Sequence, residues 1–133
     1  MPREFPRKLR LNVQIQRELT TVIREELTDP RVQGVTVTMA DVAPDLRQAR
    51  VFVSMLGPDE ELQQAVTALN HAAGKLRREL GVRLRLRYTP QLHFTPDVAL
   101  REGDRIAAMI RKAVADDKTH IAAPEDSQEE SGG

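Results

Sequence analysis

Apolar positions along the chain change period several times, and each change marks an element. Leu11, Ile15, Leu19, Val22, Ile23 and Leu27 recur at helical spacing, which predicts a helix from about Lys8 to Thr28. Asp29-Pro30 ends it, because a residue before proline is pushed away from helical geometry. Val35, Val37 and Met39 then alternate with Thr36, Thr38 and Ala40, the two-residue period of a half-buried strand. After the turn signal Pro44-Asp45, Ala49, Val51, Val53 and Met55 alternate with Arg50, Phe52, Ser54 and Leu56. The two runs predict an antiparallel hairpin. Its second strand is apolar on both faces near its end and is expected to be the more central one.

Gly57-Pro58 breaks the alternation. Pro58 suits the first turn of a helix, and Asp59, Glu60 and Glu61 complement the positive end of its dipole. Leu62, Ala65, Val66 and Leu69 give that helix a buried face. The small residues Ala72, Ala73 and Gly74 then predict a kink with a close backbone approach, and the helix resumes as Lys75 to Leu80 with Gly81 as its C-terminal cap. Val82, Leu84, Leu86 and Tyr88 alternate with Arg83, Arg85 and Arg87. This pattern predicts a third strand with three arginines on its outer face, running on past Pro90 to Leu92 and Phe94. Ile106, Met109, Ile110 and Ala113 predict a last helix from about Glu102 to Val114. The order implies an α+β domain over residues 1–116, with helices packed on one face of a three-stranded sheet that a parallel strand completes. Residues 117–133, rich in acids, Pro, Ser and Gly, are expected to be a disordered tail.

Composition narrows the function classes. The 133 residues contain no Cys, which removes disulfides, thiolate metal sites and a cysteine nucleophile. No run approaches the ~20 apolar residues of a membrane span, and the N-terminal charges precede no apolar run. A cytoplasmic protein without membrane association is expected. His71, His93 and His120 fall on three different elements without ligand spacing, and His93 reads as a core or strand-end residue. No Gly-rich phosphate loop or nucleophile elbow is present. Asp41 and Asp45 flank a turn, and Glu60-Glu61 begin a helix, so each has a local structural reason. The chain is expected to be a non-enzyme without metal, cofactor or small-molecule substrate.

Net charge is zero, from 20 basic and 20 acidic residues, but the charges are segregated. Residues 1–24 carry +4, 25–74 carry −5, 75–112 carry +6 and 113–133 carry −5. Screening over about 8 Å means that a polyanion responds to a local patch rather than to the total. Six basic residues fall between Lys75 and Arg87, with Glu79 the only acid among them. Arg7, Lys8 and Arg10 crowd the end of the first helix that least favours cations. Candidate polyanion contacts are therefore Arg7, Lys8 and Arg10, then Lys75, Arg77 and Arg78, with Arg83, Arg85 and Arg87 secondary. A solvated sheet face is the plain alternative for the last three. Aromatics are 3% of the chain, which favours phosphate contact over base stacking.

The order of elements resembles a type II KH domain, in which two helices usually flank a Gly-x-x-Gly loop. Here Ala72-Ala73-Gly74 stands in that place, and an Ala-x-Gly kink resembles the ribosome-binding factor A family. Arg7 to Leu11, Ile15 to Leu19, Asp29-Pro30-Arg31, Asp45-Leu46, Ala49-x-Val51-x-Val53, then Leu84-Arg85-Leu86-Arg87 and Pro90-x-Leu92-x-Phe94 with Asp97 as the last strand and its exit, are similar to that family in order and spacing over residues 3–114. The resemblance implies a monomeric, non-enzymatic factor that binds the free small (30S) ribosomal subunit, supports late maturation and processing of 16S rRNA and is linked to cold adaptation. The missing Gly-x-x-Gly implies docking on folded rRNA. A general α+β protein-interaction module without an RNA role is the other reading.

Overall fold

A 20-residue helix, α1 (Arg7–Glu26), opens the structure, a computed structural model that describes residues 7–122. Its apolar stripe buries Ile15, Leu19, Val22 and Ile23. Asp29 ends the segment as expected by capping a single 3-10 turn, Pro30–Val32. Its carboxylate accepts the Arg31 backbone N–H at 2.9 Å and the Arg31 guanidinium at 2.7 Å. These bonds, led by the guanidinium, hold the Asp29 carboxyl below its ordinary value. The sign follows: the cap stabilises above the ordinary carboxylate range and fades as pH falls through the lowered value.

Strands β1 (Thr36–Val42) and β2 (Gln48–Ser54) form the hairpin, and β3 (Gln91–Pro96) pairs with β2 in parallel. The sheet order is β1-β2-β3, with β2 central as its composition implies. One expected detail is wrong. A bulge between Val37 and Met39 shifts the phase of β1, so Ala40 and Val42 point inward and Met39 is exposed. Val37, Ala40, Val42, Ala49, Val51, Val53, Leu92 and Phe94 give the sheet its buried face. Helices α1, α2 (Asp59–His71) and α3 (Ala73–Leu84) bury their stripes in the same core.

A helix side chain bonds to the backbone of each sheet edge. Asn12 on α1 accepts the Val42 N–H at 2.8 Å, and Asn70 on α2 accepts the Phe94 N–H at 2.8 Å while donating to the Phe94 carbonyl at 3.0 Å. At Val42 and Phe94 the edge backbone is thus paired where another strand would otherwise add.

The third strand is the main correction. Residues 82–88, expected as a strand, instead finish α3 and turn. Leu76, Leu80 and Leu84 lie four residues apart, and the first two are fully buried, so the helical period extends past Gly81. Gly81 is inside the helix rather than its cap. Arg85 takes the left-handed conformation (φ 55°) after it, and the Leu86 N–H reaches back to the Gly81 carbonyl at 3.0 Å. Only the Leu92–Phe94 part of the expected strand is a strand.

The kink lies where the small residues predicted it, but not for the expected reason. Ala72 alone leaves helical geometry (φ −90°, ψ 4°), and half-buried Ala72 and Ala73 pack on the core. A methyl at Gly74 would meet nothing within 4 Å, whereas at Gly81 it would lie 2.5 Å from the Thr89 hydroxyl. Close approach therefore belongs to Gly81. Gly74→Ala should raise stability by up to about 1 kcal/mol of helix propensity, and the urea midpoint with it, while Gly81→Leu should lower stability by about 1–3 kcal/mol. Equal midpoints for the two variants would contradict the assignment.

The described residues divide into two compact units, one ending at Asp97 and the other beginning at Val98. In the second, α4 (Val98–Ala122) starts earlier and ends later than its apolar spacing predicts, because Ala115, Lys118 and Ala122 favour a helix and no Gly or Pro interrupts the run beyond the stripe. Residues 123–133 of the expected tail, like residues 1–6, lie outside the described residues. No helix among the described residues is long and apolar enough to cross a membrane.

Candidate nucleic-acid interface

Three segments of the chain meet beside the N-terminal end of α1. Arg7 and Arg10 come from the first turns of α1, and Arg77 from α3. Arg87 comes from the loop that joins α3 to β3. Arg47, from the β1–β2 turn, adds a fourth segment. Together they line an open groove of about 930 Å³, with Leu11, Gln14, Leu46, Leu86, Tyr88, Thr89 and Gln91 forming the rest of its wall apart from Asp45.

Asp45 is the only acid among the described residues that line the groove, and it is already engaged. Its carboxylate accepts the Arg47 backbone N–H at 3.0 Å. This bond and a left-handed Leu46 (φ 62°) shape the tight turn that carries Arg47. Arg77 Nε donates to the Thr89 carbonyl at 2.9 Å, tying α3 to the loop that holds Arg87 and Tyr88. Arg7, Arg10 and Arg47 have no ion pair with any described residue. Among the described residues, five guanidiniums facing one carboxylate make a strongly positive surface, and guanidinium geometry matches phosphate oxygens.

A smaller hollow of about 370 Å³ adjoins this groove through Arg77 and Gln91. It is lined by Ala73 and Gly74, so the kink borders the basic surface. Ala72 and Ala73 set the direction of α3 and with it the place of Arg77.

The nine basic residues expected at the site separate into groups. Arg7, Arg10, Arg77 and Arg87 line the groove. Arg78 and Arg85 are exposed, without a side-chain partner among the described residues. The others have structural partners. Lys8 pairs with Asp41 at 3.2 Å, and Lys75 caps α1 by donating to the Glu26 carbonyl at 3.0 Å. Arg83 pairs with Glu25 at 2.7 Å and lies within 3.7 Å of Glu26 and 3.6 Å of Glu79. The Glu25 hydrogen bond, more than any other contact, raises the Arg83 pKa further. Arg83, Arg85 and Arg87 do not share a strand face, since no strand exists there. Arg83→Gln should therefore leave RNA affinity unchanged while slightly lowering the unfolding midpoint. A loss of affinity at an unchanged midpoint would overturn this division.

Two wall residues escape a reading by segments. Arg47 sits in the stretch whose total is −5, and its signal was the turn Pro44-Asp45 just before it. Tyr88 is the only tyrosine, discounted because aromatics are scarce. His93 is exposed and bonded to Gln48 Oε1 at 2.9 Å, a strand residue rather than a core one. No group of three His, Cys, Asp or Glu able to hold a metal occurs among the described residues.

The fold and groove define a class, a small α+β domain with a joined helix pair and an arginine-lined cleft suited to a polyanion. Within that class the comparisons are specific. The family model of ribosome-binding factor A matches residues 7–110. Ribosome-binding factor A of Alkalilimnicola ehrlichii is 50% identical over 119 residues, covering 89% of this chain and 92% of the relative. The crystal structure of ribosome-binding factor A from Thermus thermophilus superposes with a TM-score of 0.60 at 32% identity, covering 67% of this chain and 94% of that one. A homology model of the Thermus thermophilus factor, fitted into the cryo-EM map of a 30S complex, gives 0.55 at 32% identity over 63% and 88%. The chain belongs to the ribosome-binding factor A family.

Proposed function

We propose that the protein binds the free small (30S) ribosomal subunit and assists late maturation and processing of its 16S rRNA. It acts by binding rather than catalysis, as a single copy, in the cytoplasm. The observation that carries this reading is the convergence of five arginines from four separate segments on one groove. That arrangement needs the whole fold, so it is not an accident of local composition. Membership in the family, and the 30S complex of the Thermus thermophilus relative, supply the target.

Arg7, Arg10, Arg47, Arg77 and Arg87 contact phosphates in this reading. Arg78 and Arg85 extend the field at its margins. Lys8, Lys75 and Arg83 hold neighbouring elements in place. The cleft is open and no Gly-x-x-Gly loop clamps it, so folded rRNA can dock without threading a strand. The acids of residues 117–133, beyond the KH-like domain of residues 1–116, lower the net charge of the chain.

Co-sedimentation with purified small subunits across a salt series tests this. Five phosphate contacts predict that log K falls with log[salt] with a slope of about −4. Affinity that is flat across the series, or that survives when the rRNA is digested, would contradict the reading.

A further inference from the structure

Tyr88 is exposed without being loose. The residue keeps 80% of its surface open. The loop beneath it is pinned at both ends. Arg85 closes α3 in the left-handed conformation, and Leu86 bonds back to Gly81 at 3.0 Å. On the other side the Thr89 carbonyl accepts from Arg77 at 2.9 Å, and Pro90 is fully buried. A tyrosine on a fixed loop presents a rigid flat face that loses little freedom on binding.

The position of this ring matters more than the scarcity of aromatics. It lines the same groove as Arg7, Arg10, Arg47 and Arg77. The Arg87 guanidinium lies 5.8 Å from the ring centroid, close enough for a cation–π contact that orients both groups. A continuous A-form duplex keeps its bases stacked inside and would offer such a ring only sugar and phosphate. An extruded base offers a π-face, while its flanking phosphates meet the arginines.

We propose that Tyr88 is a stacking platform for one unpaired nucleobase, which makes the groove selective for a bulged or single-stranded nucleotide over continuous duplex. The proposal rests on the RNA-binding reading of the groove. It adds a selectivity that phosphate contacts alone do not supply, because every RNA has phosphates.

Three RNA hairpins of equal length test it: one fully paired, one with a single bulged adenosine, and one with an abasic sugar at the bulge. The full chain binds each in a salt series followed by fluorescence anisotropy. The bulged adenosine should bind about tenfold tighter than either control. Tyr88→Ala should abolish that difference without altering the salt slope, and Tyr88→Phe should keep it. The chain has one Tyr and no Trp, so its intrinsic emission reports on Tyr88 alone and should be quenched by the adenosine hairpin but not by the abasic one. Equal, salt-dependent binding of all three hairpins by the wild type would overturn the stacking proposal and leave the groove reading standing. Salt-independent binding, unmoved by removing groove arginines, would overturn both.

Discussion

Replacing Arg7, Arg10 and Arg47 together by glutamine should weaken binding to small subunits on the order of a hundredfold near 0.1 M salt and reduce the salt slope by about three. Glutamine keeps a polar stem on the groove wall and removes only the charge. None of the three guanidiniums has an ion pair with a described residue, so stability has little reason to change. The urea midpoint of the triple variant should match wild type, which separates lost contact from lost fold. Arg47 is the informative member. It lies far in sequence from the two basic segments, and only the fold brings it to Arg7 and Arg10. If Arg47→Gln alone leaves both affinity and slope unchanged, the groove is not the binding surface.

Leu76→Ala should produce the opposite combination. Leu76 is fully buried on α3, which packs against α1, and it sits beside Arg77 in sequence. Truncation leaves a cavity and costs about 2–5 kcal/mol, a large share of the roughly 5–15 kcal/mol that holds a domain of this size folded. Urea unfolding should show a lower midpoint with an unchanged slope, meaning that stability rather than compactness has moved. RNA affinity measured well below the unfolding range should stay near wild type, because no groove charge is lost. A variant with a normal midpoint would mean that α3 does not contribute to the core as described.

Much of this fold was legible because its elements have distinct periods. The stripe of α1, the β1–β2 hairpin, the central place of β2 and the acidic start of α2 all follow from residue spacing. Where two periods fit the same residues, spacing was not enough. Leu76, Leu80 and Leu84 satisfy a helix, while Val82, Leu84 and Leu86 satisfy a strand. The helix prevailed because Leu76 and Leu80 are already committed to the core, and Arg83 on the same helix meets Glu25 across it. The Met39 error had another cause, since a bulge inserts one residue and no period announces it.

The site was legible in kind but not in membership. Segment charges located the two basic regions, and Arg7, Arg10, Arg77 and Arg87 do line one groove. They could not show that Arg83 is turned toward three glutamates, or that Arg47 leaves an acidic segment to join the arginines. Both are facts of side-chain direction and tertiary contact. The kink shows the same limit. Small residues located the bend, yet the glycine with a close neighbour is Gly81 and not Gly74.

The most direct test is crosslinking from defined positions. A photoreactive side chain at Gln14, on the groove wall, is compared with one at Thr67, on an exposed part of α2 outside the groove. Each variant is bound to free small subunits, irradiated, and its RNA contacts are mapped. The groove account predicts crosslinks to a confined set of 16S rRNA positions from Gln14 and none from Thr67. Crosslinks from Thr67 with none from Gln14, or from Gln14 to ribosomal proteins alone, would contradict it.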